Sequence, residues 1–281
     1  MILVTVGDPE GIGPEVAAKA ADGDCVLVGD PGAIERWSPK VPVVAPPDGD
    51  EPVEIRAIRF AVAECLASRA EALVTGPIHK ARLAARGFEH PGHTGFLGEL
   101  CGARPVMAFI GAELRACLVT THVPLSRVPS SITSERLLHV FRVAAGELRS
   151  KLGLEGRLLV CGLNPHAGDG GVLGSEEIEI ITPAIEQACS EGLTVGGPMS
   201  AEVAFRRQRS GHADMVVAMF HDQGLAPLKL VESGQSVNWS MGLPIVRTSV
   251  DHGTADDIAG QGVADPTSMA SAIGLARVLA R

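Results

Sequence analysis

The chain has no block of like charge, no CxxC pair, no long apolar run and no low-complexity tract. Each absence excludes something. Lysine and arginine total 24 against 33 aspartates and glutamates, a formal net charge of −9. Generic nucleic-acid binding needs a basic patch, which this balance does not supply, although a local basic pocket for a small anion stays open. The six cysteines are Cys25, Cys65, Cys101, Cys117, Cys161 and Cys189, and no two lie within four residues of each other. That excludes a CxxC metal or redox motif. Several sit in apolar runs such as Leu-Leu-Val-Cys161, which reads as buried free thiols in a reducing compartment. No stretch approaches the ~20 apolar residues of a membrane span. The chain opens directly on Ile2-Leu3-Val4-Thr5-Val6, without a basic and then apolar leader, so the cytoplasm is the expected location.

What is present is the material of a large α/β core. Of the 281 residues, 46% are hydrophobic, enough for one big domain or two smaller ones. Strand-like runs fall at 2–6, 25–29, 71–75, 105–110, 114–120, 157–163, 214–220 and 245–250. Helical periodicity falls at 14–21, 55–69, 134–151, 175–189, 200–209 and 266–280. Repeated strand–helix order predicts mostly parallel sheet with helices on its faces. The short Gly-Ala-Glu turn between 105–110 and 114–120 predicts one antiparallel pair. Residues 39–52, with five prolines, read as a linker or a surface loop.

Three histidines share a context. His122 follows Leu118-Val-Thr-Thr121, His166 follows Leu159-Val-Cys-Gly-Leu-Asn-Pro165, and His221 follows Val216-Val-Ala-Met-Phe220. Each sits just beyond the C-terminal end of a predicted strand, the edge where open α/β sheets bind ligands. Converging imidazoles there suit a divalent metal, and each alone also suits a packed or hydrogen-bonded histidine. The segment Gly7-Asp-Pro-Glu-Gly-Ile-Gly-Pro-Glu15 joins a strand to a helix. It reads as an anion-receiving helix start or as a plain tight turn, and it is not a GxGxxG fingerprint. Asn164-Pro-His-Ala-Gly-Asp-Gly-Gly171 is a second glycine-rich loop, phosphate-contacting or merely flexible. Lys229, Asn238 and Arg247 suit a phosphate or carboxylate, and each suits a solvated surface position as well.

Together, Gly7–Glu15, Val74-Thr-Gly-Pro77, Gly92-His-Thr94, Thr120-Thr-His122, Asn164-Pro-His-Ala167, His221-Asp-Gln-Gly224 and Gly242–Ala255 resemble the 4-hydroxythreonine-4-phosphate dehydrogenase family nearly end to end. Some of these motifs, with His252–Gly260, also look like the wider isocitrate and isopropylmalate dehydrogenase group. The resemblance implies that group's two-domain α/β fold, with mostly parallel sheets flanked by helices and an active-site cleft between the domains. One domain would be 1–95 plus 250–281 and the other 96–249. The resemblance also implies His122, His166 and His221 as ligands of Zn, Mg, Co or Mn. His93, Thr94, Lys229, Asn238 and Arg247 match substrate-binding positions, and Gly253, Thr254, Asp257 and Gly260 lie in the loop expected to meet NAD or NADP. A homodimer with its active site at the subunit interface is implied, with no nucleic-acid or membrane partner.

The implied reaction oxidises an alcohol β to a carboxylate in 4-phosphohydroxy-L-threonine, and the β-keto acid then loses CO₂ to give 3-amino-2-oxopropyl phosphate, in pyridoxal 5′-phosphate (vitamin B6) biosynthesis. Lys229 is the candidate for proton transfer or carboxylate contact. Asp222 would orient His221 or cap a helix. Two features depart from the family pattern: Gly95 stands where familiar members carry Glu, and the region around 30–55 is short. Alternative substrates are 4-phospho-threonate, 4-phospho-erythronate or a cyclic dihydrodiol carboxylate. A metal-dependent hydrolase is the reading from another class.

Overall fold

Short apolar runs bounded by glycine turns form strands, and amphipathic stretches between them form helices. The computed structural model describes residues 1–88, 90 and 92–281. Its strands are β1 (Ile2–Thr5), β2 (Cys25–Val28), β3 (Val43–Val44), β4 (Ala72–Thr75), β5 (Val106–Ile110), β6 (Arg115–Leu118), β7 (Leu158–Cys161), β8 (Val195–Met199), β9 (Met215–Ala218), β10 (Val237–Met241) and β11 (Val246–Ser249). Its helices are α1 (Gly13–Ala20), α2 (Pro31–Glu35), α3 (Val53–Leu66), α4 (Lys80–Ala85), α5 (His93–Cys101), α6 (Val128–Ser131), α7 (Ser134–Leu152), α8 (Thr182–Ser190), α9 (Ala201–Arg209), α10 (His221–Glu232) and α11 (Thr267–Leu279).

The chain divides into two compact units, Met1–Pro105 with Val237–Arg281, and Val106–Ser236. The first unit takes in 96–105 and 237–249, stretches that the sequence reading assigned to the second domain. Its strands run in the order β3-β2-β1-β4-β11-β10. All pair in parallel except β10, which is antiparallel to β11.

One face of this sheet changes character along its strands. Leu3 and Leu73 are in register, and Arg247 pairs beside Leu73. Two residues further on, Thr5, Thr75 and Ser249 are in register. Side chains two apart share a face, so an apolar layer gives way to a polar one at the C-terminal ends. The apolar layer is covered by α3, whose Ile55, Ile58 and Val62 recur at helical spacing, and by Leu83, Phe96 and Leu97 of α4 and α5. Each such side chain stabilises the fold by roughly 1.5–3 kcal/mol through burial.

The second unit orders its strands β5-β6-β9-β7-β8. The expected hairpin is present, with Ala108 opposite Cys117 in an antiparallel pair, and the other strands are parallel. The sequence reading placed no helix span over α10, although it allowed Asp222 to cap a helix there; Gly224 and Pro227 lower the local helix propensity. Gly224 lets this helix lie close on the sheet: a Cβ there would come 2.8 Å from Leu118 and 3.1 Å from Ala218. Packing thus outweighs weak local propensity. The structure also adds β3 inside the proline-rich 39–52 segment, where Leu27 pairs with Val43.

Glu232, the last residue of α10, ties this helix to the β5–β6 turn. Its buried carboxylate accepts the backbone N–H groups of Ala112, Glu113 and Leu114 at 2.8, 2.9 and 2.8 Å. Any side chain at Gly111 would overlap that carboxylate. Removing it strands three donors, so Glu232→Ala is expected to cost about 2–4 kcal/mol in urea unfolding and Glu232→Gln distinctly less. Equal unfolding midpoints for wild type and Glu232→Ala would show that water replaces the carboxylate.

Candidate functional site

In the second unit, β6 and β9 keep their pairing beyond the regular strands. Val119 N–H donates to Ala218 O at 2.9 Å, Thr120 N–H to Met219 O at 3.1 Å, and Thr120 Oγ1 to Met219 O at 2.7 Å. This zipper carries two predicted ligands to the same strand ends. The rings of His122 and His221 lie 5.4 Å apart between centroids and are inclined by 42°. Two imidazoles sharing a tetrahedral ion at about 2.1 Å per nitrogen would have centroids about 5 Å apart. The spacing fits such an ion. His221 Nδ1 lies 2.7 Å from Asp222 Oδ1, the kind of carboxylate contact that leaves Nε2 as the ring nitrogen for an ion. Asp222 is the acidic residue in the first turn of α10. The two histidines line a hollow of about 330 Å³ with Thr121, Val123, Leu125 and Phe220.

His166 lies beyond β7, exposed on a turn running Pro165–Gly171. Among the described residues, no three His, Cys, Asp or Glu side chains of one chain form a metal-sized group. The structure therefore joins His122 to His221 and leaves His166 outside that pair. Lys229 is exposed on α10, eight residues after His221, or about 12 Å along the helix axis.

In the first unit, Arg247 starts at the level of Leu73 and its guanidinium reaches the polar end of the sheet at Thr75. The residue is 1% exposed. Its guanidinium donates to Ser240 Oγ at 2.9 Å and Thr75 Oγ1 at 2.5 Å, and its Nε has no partner. Among the described residues no carboxylate pairs with it. Burial lowers its pKa to about 9, which leaves a cation at neutral pH without a counter-charge. His93, in the first turn of α5, has a buried Nε2 without a partner among the described residues. Burial, together with the positive charges of Arg247 and Lys80, pulls its pKa well below the usual histidine value. Asn238 Oδ1 and Thr5 Oγ1 are likewise buried without partners. The register that sets Asn238 opposite Ser249 sets Ser240 opposite Arg247, so all four side chains share one face. Unsatisfied buried polar atoms are rare and costly. The desolvated Arg247 cation is the complement of an anion, while the Asn238 amide oxygen is an acceptor and suits a donor group. Thr94 is half-buried beside His93.

The Gly7–Glu15 motif turns out to build contacts between loops. Side chains at Gly7 and Gly13 would overlap the carbonyls of Pro77 and Val6. Glu15, buried at the start of α1, accepts Lys19 Nζ at 2.6 Å and Ala264 N–H at 2.8 Å. The tight-turn alternative therefore accounts for these glycines. The expected cofactor loop packs on the same motif: Ile12 N–H donates to Thr254 O at 3.0 Å, and a Cβ on Gly11 would come 2.9 Å from Thr254. Arg82 bridges the two loops, reaching Asp8 and Asp256 at 2.6 Å each. Asp257 O accepts from Gln261 at 2.7 Å, Gly260 takes a left-handed φ of 80°, and Gly253 has open space around it.

Sequence reading missed Thr75, Ser240 and Lys80. The signal for the first two was a polar residue closing an otherwise apolar strand face. Lys80 had none, because its neighbours come from α5: its Nζ lies 3.8 Å from where a Cβ on Gly92 would stand.

If Arg247 awaits an anion, inorganic phosphate will raise the wild-type Tm by several degrees. Arg247→Met will abolish that rise, while its own Tm without phosphate stays level or increases because a desolvated charge is gone. A variant that phosphate stabilises as strongly as wild type would move the anion site elsewhere.

Comparisons with known proteins agree on one family. A 4-hydroxythreonine-4-phosphate dehydrogenase from Thioalkalivibrio sulfidiphilus is 41% identical, aligned over all of this chain and 97% of its own length. That alignment spans 320 positions against 281 residues here, so the relative carries segments this chain lacks. The crystal structure of the Klebsiella pneumoniae 4-hydroxythreonine-4-phosphate dehydrogenase superimposes with a TM-score of 0.89 at 35% identity, covering 100% of this chain and 99% of that one. A terephthalate 1,2-cis-dihydrodiol dehydrogenase from Burkholderia xenovorans is similar at 28% identity and a TM-score of 0.71, covering 99% and 97%. The family profile described as pyridoxal phosphate biosynthetic protein PdxA matches residues 39–276, and the chain belongs to that family.

Proposed function

We propose that this chain is an NAD(P)-dependent dehydrogenase that oxidises 4-phosphohydroxy-L-threonine, in the formation of pyridoxal 5′-phosphate. The observation that carries the reading is Arg247, a buried guanidinium with two hydroxyl partners and no carboxylate among the described residues. A phosphorylated amino acid supplies the anion it lacks. Relatives bearing the corresponding name match over the full length of the chain.

In this reading Arg247 and Asn238 fix the anionic ends of the substrate, Arg247 through its planar donor fork. His93 is neutral and offers Nε2 to a polar group of the substrate, and Thr94 contributes its hydroxyl. His122, His166 and His221 hold a divalent ion such as Zn, Mg, Co or Mn, with Asp222 orienting His221. When bound, that ion supplies Lewis acidity to the substrate alcohol. The loop with Gly253, Thr254, Asp257 and Gly260 would receive a nicotinamide dinucleotide, which when bound would supply a hydride acceptor. The alcohol gives up a hydride and a proton, leaving a ketone β to the carboxylate. Loss of CO₂ and uptake of one proton then give 3-amino-2-oxopropyl phosphate, and Lys229 Nζ is the group assigned to move that proton.

A homodimer is part of the proposal. Val123 and Leu125 beside His122, Val172 and Leu173 after His166, and Leu230 beside Lys229 are all exposed. Exposed apolar residues near each of these side chains favour a covered surface, and a second copy is the occupant we assign, with His166 as its contribution to the metal group. The cytoplasm is the proposed location: the six thiols are free, and no described helix is long and apolar enough to cross a membrane.

The direct test is absorbance at 340 nm with 4-phosphohydroxy-L-threonine, metal-loaded protein and NAD or NADP in turn. Turnover that a chelator stops and metal restores is expected; no turnover with either nucleotide rejects the reading. The likeness to a dihydrodiol dehydrogenase makes a cyclic dihydrodiol carboxylate the second substrate to assay, with 4-phospho-threonate and 4-phospho-erythronate as acyclic competitors. For Lys229, a binding role alone predicts that Lys229→Met raises KM and spares kcat, whereas the proton-transfer role proposed here predicts a collapse of kcat at saturation.

A further inference from the structure

The turn that presents His166 is one its own residues disfavour. His166, Ala167, Gly168, Asp169 and Gly170 have φ values of 54, 54, 80, 44 and 66°. Five successive residues are left-handed, and three of them are not glycine. L-residues do not hold such a run unaided, and strain of this kind persists only where surrounding structure enforces it.

The enforcing contacts come from one place. Glu177 is 3% exposed. Its Oε1 accepts Asn164 N–H at 2.7 Å, and its Oε2 accepts Asn164 Nδ2 at 2.9 Å. The same Nδ2 donates to Glu176 Oε2 at 2.7 Å, so both amide hydrogens of Asn164 are taken by carboxylates. The turn lies directly against this group: a Cβ on Gly168 would come 2.7 Å from Glu177 Oε2, and one on Gly162 would come 3.0 Å from Oε1. Ala167 N–H closes back on Asn164 O at 3.1 Å. Glu177 itself opens a π-helical turn, Glu177–Ile181, ahead of α8. Such wide turns are uncommon and gather at functional sites.

We propose that Glu177 is the positioning residue for His166: its carboxylate, acting through Asn164, holds the left-handed turn that presents the imidazole. The bonds support this role because they end on the residue two before His166 and on no strand. The proposal rests on His166 being a metal ligand, and the experiment separates the two claims.

Co²⁺ binding to metal-free, full-length protein is measured by isothermal titration calorimetry, alongside hydrogen exchange of amides 164–172 and the thermal midpoint. Glu177→Ala is expected to weaken Co²⁺ binding by about tenfold or more, the usual effect of losing a residue that holds a ligand in place. It is also expected to speed exchange across 164–172 while the rest of the fold keeps its protection. Glu177→Gln retains an acceptor for the Asn164 N–H and recovers part of both losses. Should Glu177→Ala fail to fold, Gly168→Ala perturbs the same contact from the loop side with the same expected outcome. If His166→Ala weakens Co²⁺ binding while Glu177→Ala and Gly168→Ala match wild type in affinity and exchange, the proposal is overturned alone. If His166→Ala leaves Co²⁺ binding unchanged, the ligand reading of His166 falls and takes the proposal with it.

Discussion

Parallel pairing in register is the constraint on which both candidate sites depend. In a parallel sheet every strand ends on the same edge, so residues distant in sequence arrive together without any local motif. Thr5, Thr75 and Ser249 come from strands far apart in sequence, yet share one level of one face. His122 and His221 meet for the same reason, because Leu118 and Ala218 are register partners and the pairing runs on past them. No sequence spacing links these residues; the hydrogen-bond ladder does.

The two units use that edge in different ways. In the first, polar atoms are buried without partners around a cation, so the cost of desolvation is already incurred in the folded chain. A ligand that satisfies Arg247, His93 and Asn238 recovers it, which favours binding in one fixed orientation. In the second, the imidazoles stand in or near solvent and the cost appears in the backbone instead, as the left-handed turn at His166. Both arrangements fix geometry before a ligand arrives, one by electrostatic deficit and the other by conformational strain held in place by Glu177.

This division explains what could be read from the sequence. Apolar runs located β1, β4, β6, β7, β9 and β11, because burial on both faces leaves a continuous signal. β10 was missed although Val237-Asn-Trp-Ser-Met241 alternates strictly: its polar members, Asn238 and Ser240, belong to the polar face and hid the pattern of a strand. The span of α10 was not given, only the chance of a helix start at Asp222, and Gly224 and Pro227 weaken the helical signal until the sheet beneath them is known. The histidines could be placed at strand ends from sequence, and their pairing could not, since it depends on strand order. The roles of Glu177 and Thr75 were invisible, because a buried carboxylate and a strand-end hydroxyl gain meaning only from what they touch.

The electrostatics of α5 bear on which anion the first unit prefers. The helix starts at His93 with no acidic residue in its first turn, so no carboxylate of its own offsets the partial positive charge of its N-terminus. Gly95, at the third position of this helix, is exposed with nothing near its missing Cβ. The Cβ of a glutamate there would meet nothing within 4 Å among the described residues, and its charge would stand on the first turn, close to His93. Glycine at this position is therefore an electrostatic difference and leaves the packing alone. Arg247, Lys80 and the start of α5 together present positive potential, and His93, kept neutral by that same potential and by burial, adds none of its own. On the proposed reading, an anion there meets one negative group fewer than it would beside a glutamate at position 95, which would discriminate by ligand charge before shape is tested.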